Sequence, residues 1–74
     1  MLNLREIQSG SSCIVTWITG TWAGLLRGSC NLKENDYIRV VSNTGKGGVI
    51  ICVHERRLAL SSDLAFGVKV IAAA

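Results

Sequence analysis

Proline is absent from this chain, histidine occurs once, and aromatic residues make up only 5% of it. Without proline no ladder donor is lost, which suits a chain built mainly of paired strands. Cysteine occurs three times, as Cys13, Cys30 and Cys52. An odd number at wide, irregular spacing is a poor disulfide framework, so reduced thiols in an intracellular setting are expected. Long hydrophobic runs are missing too. The longest, Val49–Val53, falls far short of the roughly 20 residues that span a bilayer. The start, Met1-Leu2-Asn3-Leu4-Arg5-Glu6, lacks the basic segment and apolar stretch of a signal peptide. The expectation is a soluble, cytoplasmic protein with no direct membrane insertion.

Charge is not concentrated in one place. The net +3 comes from bases spread from end to end, several beside an acid, as in Arg5-Glu6, Lys33-Glu34 and Glu55-Arg56. Only Arg56-Arg57 forms a run. A nucleic-acid footprint needs a concentrated basic face with aromatics among the bases to stack on, so no nucleic-acid partner is expected. What the chain does have is apolar content, 49% against 18% charged, which is the balance of a folded domain. Residues 1–74 make a single domain. At this length nearly every apolar strand position is needed for the core.

Leu4 and Ile7, three apart before the turn signal Gln8-Ser9-Gly10-Ser11-Ser12, predict a lead-in turn that covers one end of the core. A first strand follows over 13–19, with Cys13, Val15 and Trp17 on one face and Ile14, Thr16 and Ile18 on the other. Trp17, within this pattern, is expected to pack the end of a barrel. Residues 21–30 predict the one longer helix, capped by Thr21, with Trp22, Leu25, Leu26 and Ser29 along one side. Gly24 and Gly28 weaken it by roughly 1 kcal/mol each. Asn31 suits its left-handed end.

The second strand spans 37–41, with Ile38 and Val40 on one face. A glycine-rich hairpin loop, 42–48, leads to a third strand over 49–55. There Val49, Ile51 and Val53 alternate with Ile50, Cys52 and His54. A fourth strand at 57–60, a serine-capped helical turn at 61–65 and a fifth strand at 67–71 complete the chain. Five short strands in so small a chain predict a partly open barrel rather than a sandwich.

Chemistry is sparse. Cys52 and His54, two apart on a strand, could offer two ligands to a metal, but a zinc site normally needs four. They also lack the geometry of a nucleophile and its base. The glycine loop joins two strands and opens no helix, so it is a hairpin rather than a phosphate cradle. Neither an enzyme nor a cofactor is expected.

Five segments carry a family resemblance. They are Leu4-Arg5-Glu6-Ile7-Gln8-Ser9-Gly10, Ile38-Arg39-Val40-Val41, Val49-Ile50-Ile51-Cys52-Val53, Leu58-Ala59-Leu60 and Val68-Lys69-Val70. In order and spacing the chain resembles the FeoA family of bacterial ferrous iron uptake. It departs from the family pattern where Asn31 stands for a glycine after the helix and Glu34-Asn35 for a Pro-Gly turn. Glu55 stands for the glycine before Leu-Ala-Leu, and a run of arginines in the helix is reduced to Arg27.

The resemblance implies a mainly β, SH3-like, partly open barrel of about five strands with one short inserted helix. It is similar to the C-terminal SH3-like domains of iron-dependent repressors. It further implies a non-enzymatic accessory protein that docks on the cytoplasmic side of the membrane iron transporter FeoB. The expected contact residues are Trp22, Leu25, Leu26 and Arg27 on the helix, with Lys46 in the glycine loop. The alternative is a regulatory module that senses Fe(II) or another divalent ion directly, through Cys52, His54 and Glu55.

Overall fold

Among the described residues, six antiparallel strands form one sheet in the order β1-β6-β2-β3-β4-β5. The computed structural model describes residues 2–20, 23–44 and 47–73. The strands are Leu2–Asn3 (β1), Ser12–Ile18 (β2), Tyr37–Asn43 (β3), Val49–Val53 (β4), Arg56–Leu60 (β5) and Val68–Ala72 (β6). A 3₁₀ turn at Leu4–Glu6 follows β1, a helix Ala23–Gly28 (α1) follows β2, and a helix Ser62–Phe66 (α2) precedes β6. The molecule measures 26 × 25 × 25 Å. Near-equal extents mean that the sheet curls round its core, while β1 and β5 remain unjoined edges. This is the mainly β, SH3-like, partly open fold that the sequence implies. The sixth strand, β1, is two residues long and pairs Leu2 with Val70 and Asn3 with Lys69. Two residues are too few for an alternating pattern to register.

Strand alternation decides most of the core. Ile38 and Val40 of β3, Val49, Ile51 and Val53 of β4, and Val68 and Val70 of β6 all point inward. Leu4 and Ile7 close one end, as their spacing predicts. Cys13 is buried among them, and burial pushes its thiol up to about 11. Ser61 caps α2 by accepting the Leu64 N–H. Ser42 and Asn43, read from sequence as part of the loop, extend β3 instead, and Asn43 ends it. The Asn43 Nδ2 donates to the carbonyls of Arg5 and Ile7, at 2.8 Å each, and so ties the lead-in turn to the sheet.

The departures from the family pattern have a common backbone signature. Asn31, Asn35 and Glu55 stand where the pattern has glycine, and all three have positive φ, of 55°, 74° and 64°. Asparagine tolerates this region, while glutamate pays about 1 kcal/mol for it. With His54 at φ 51°, Glu55 forms the two-residue turn between β4 and β5, a backbone that favours glycine. Glu55→Gly is therefore expected to stabilise the protein by about 1 kcal/mol, raising Tm by roughly 4–8 °C for a domain of this size. Thermal unfolding by circular dichroism measures this. An unchanged or lowered Tm would show that Glu55 makes a compensating contact.

Candidate docking surface

Helix α1 follows β2 and is anchored by one fully buried residue, with Ala23 partly buried against the same core. Leu26 is fully buried, at 0% exposure, whereas Leu25 is 43% exposed. Adjacent helical residues point about 100° apart, so on a one-and-a-half-turn helix only one of the two leucines can enter the core. Leu26 is thus a core residue and not part of a contact face, which corrects the sequence expectation. Arg27 is ion-paired with Glu34 across the following turn. Its hydrogen bond holds the Glu34 carboxyl below the ordinary glutamate range. Trp22 and Lys46 lie outside the described residues. Of the expected helix face, exposed Leu25 and an already partnered Arg27 remain.

The alternative metal ligands do not converge. Sequence extends the third strand to Glu55, but β4 stops at Val53, and His54 and Glu55 form the turn into β5. His54 Nε2 swings to within 3.2 Å of Asp36 Oδ2. That buried carboxylate also accepts the Lys33 N–H. Cys52 stays on the outer face of the sheet, paired with Arg39 on one side and Arg57 on the other. These three residues, with Gly10 and Val41, line a depression of about 370 Å³. Two guanidinium groups beside the thiol disfavour a cation there. Among the described residues no three His, Cys, Asp or Glu side chains are grouped so as to hold a metal.

A different surface emerges at Trp17, which was expected in the core and is 57% exposed. The reason is a β-bulge. Val15 pairs with Val70 and Trp17 with Lys69, so Thr16 is the extra residue. Its hydroxyl donates to the Lys69 carbonyl at 3.0 Å. A bulge resets the alternation: Val15 points in, Trp17 points out and Ile18 takes the inward place.

Directly paired residues share a face, so Asn3, Lys69 and Trp17 stand side by side across β1, β6 and β2. With Thr19 they line a concavity of about 330 Å³. Phe66, at the end of α2, lies next to them and is 51% exposed. The Lys69 Nζ sits 4.1 Å from its ring centroid and donates to its carbonyl at 2.8 Å. The Arg5 guanidinium lies 5.7 Å from the same centroid. Both cations are within cation–π range. Sequence reasoning missed this group because period-two alternation carries no sign of a bulge.

No protein-family profile and no curated protein matches the chain. Solved structures do. The crystal structure of an iron uptake regulatory protein, FeoA, matches with a TM-score of 0.86 and 30% identity, covering 97% of each chain. The NMR structure of a FeoA-like protein from Clostridium acetobutylicum matches at TM-score 0.81 and 14% identity, over 96% of this chain and 85% of that one. A manganese-dependent transcriptional repressor matches at TM-score 0.86 and 16% identity. The match covers 97% of this chain but 41% of the repressor. At such identities the last two likenesses concern the fold alone.

Proposed function

The chain belongs to the FeoA family, and on that premise we propose that it is a cytoplasmic accessory protein of Fe(II) uptake. In this reading it docks on the cytoplasmic side of an FeoB-type membrane transporter and catalyses no reaction itself. The full-length likeness to an iron uptake regulatory protein, at 30% identity, carries the reading. The distribution of side chains supports it. The interior is filled mainly by Leu, Ile and Val, while Trp17 and Phe66 are left outside, where aromatic groups can bury area against a partner. No helix among the described residues is long and apolar enough to cross a membrane.

Isothermal titration of the purified protein into the soluble cytoplasmic domain of the cognate transporter tests the reading. Saturable binding is expected, together with reduced Fe(II) uptake in cells that lack this protein. Absence of binding would refute the docking, and undiminished uptake would refute the role in Fe(II) uptake.

A further inference from the structure

We infer that the Trp17–Lys69–Phe66 surface is the part of the molecule that grips the transporter, and that it takes an acidic segment carrying an apolar anchor residue. The inference rests on the docking reading above and adds to it the contact surface and the chemistry of the partner segment.

Three observations lead there. The first is exposure. Trp17, Tyr37 and Phe66 all stand more than half exposed. Trp17 and Phe66 flank the same residue, Lys69, which pairs with Trp17 and lies against the Phe66 ring, and a bulge is what turns Trp17 outward. Exposed aromatics that adjoin one another mark interaction sites far more often than single surface apolar residues do.

The second is shape. The space among Asn3, Trp17, Thr19 and Lys69, about 330 Å³, lies at the lower end of the range of small-ligand sites, about 300–1,000 Å³. A concave wall accepts an inserted side chain, whereas a flat bilayer would favour protruding aromatics.

The third is charge. Lys69 and Arg5 both lie against Phe66, and among the described residues neither has a carboxylate partner. Glu6, the nearest acid in sequence, is engaged with the Asn3 N–H at 3.0 Å. The aromatic surface is therefore rimmed by positive charge that an acidic segment would neutralise. On α1, by contrast, Glu34 already neutralises Arg27.

The test is a titration of ¹⁵N-labelled protein with the soluble cytoplasmic domain of the transporter. It is repeated with Trp17→Ala, Phe66→Ala, Lys69→Glu and Leu25→Ala. All four positions are at least partly exposed, and a dispersed spectrum confirms that each variant is folded. Trp17→Ala and Phe66→Ala are expected to weaken binding by about tenfold or more each, as truncated anchor residues do. Lys69→Glu should weaken it by about tenfold at ~0.01 M salt and less at ~0.15 M, where the Debye length falls to about 8 Å. Leu25→Ala should stay within about twofold, as most interface-peripheral truncations do.

If the wild type binds and the Trp17, Phe66 and Lys69 variants bind equally well, the surface assignment fails and the docking reading stands. If the wild type does not bind at all, the docking reading fails and takes the assignment with it. Trp17-dependent sedimentation with phosphatidylglycerol vesicles, or a Trp17-dependent dimer in sedimentation velocity, would overturn the assignment in favour of a lipid surface or a second copy.

Discussion

Leu26→Gln is expected to unfold most of the protein rather than to weaken one contact. Leu26 is the only fully buried side chain of α1, and the helix has little else to hold it. Six residues fall well below the length at which a helix persists alone, and two of them, Gly24 and Gly28, lower its propensity further. Truncating a buried leucine costs about 2–5 kcal/mol, and a buried amide without partners adds about 1–3 kcal/mol. At about 0.05–0.15 kcal/mol per residue, a domain of this size holds only roughly 4–11 kcal/mol in all.

Urea denaturation and a ¹⁵N–¹H spectrum measure the outcome. Leu26→Met, which nearly conserves volume, should cost less than about 1.5 kcal/mol and stay folded. A Leu26→Gln variant with wild-type stability would put Leu26 on the surface after all. Lost partner binding in such a variant would therefore report unfolding rather than a lost contact. Leu25→Ala tests the helix face without disturbing the core.

Gly48→Ala is expected to be the next most damaging change, and its neighbour provides the control. A Cβ at Gly48 would lie 2.3 Å from the Leu60 carbonyl oxygen and 3.1 Å from its carbon. Both are backbone atoms of the strand that pairs with β4, and the first pair of that ladder is Val49 with Leu60. The methyl group can be accommodated only by moving β5 away, which loosens the Val49–Leu60 pair and opens the core that both residues close. Overpacking of this kind costs about 1–3 kcal/mol and sometimes more. Each kcal/mol lowers Tm by roughly 4–8 °C in a domain of this size.

At Gly47 the same methyl group would meet only the Thr44 Oγ1, at 3.5 Å, an ordinary contact. Gly47→Ala should therefore leave Tm within a few degrees of wild type, as surface changes of about ±0.5 kcal/mol do. Equal Tm values for the two alanine variants would show that β5 yields without cost. Nothing in the run of glycines distinguishes the two positions, because the difference lies in a strand twelve residues further along.

The legible part of the site was smaller than the legible part of the fold. Cys52 and His54 were placed on one strand face because Val49 to Val53 alternates cleanly. Nothing in the pattern marked His54-Glu55 as a turn, since the residue that would announce it, glycine, is replaced by glutamate. Leu25 and Leu26 are both compatible with a helix stripe, and their assignment to surface and core depends on which side of a six-residue helix meets the sheet. Unbroken alternation puts Trp17 on the face of Cys13 and Val15, and the bulge at Thr16 takes it off that face.

Local composition and period were enough to determine a small, mainly β domain with its principal strands, the left-handed end at Asn31, the cap at Ser61 and the alternating faces of β3 and β4. These features depend on interactions within a strand, a turn or one helical cap, and such interactions are written in neighbouring residues. The phase of β2 beyond Val15, the end of β4, the partner of His54 and the grouping of Trp17, Lys69, Phe66 and Arg5 were settled by the assembled sheet. Each depends on how segments distant in the chain are placed against one another, as where Trp17 meets Lys69. A one-residue slip in strand register reverses every side chain beyond it.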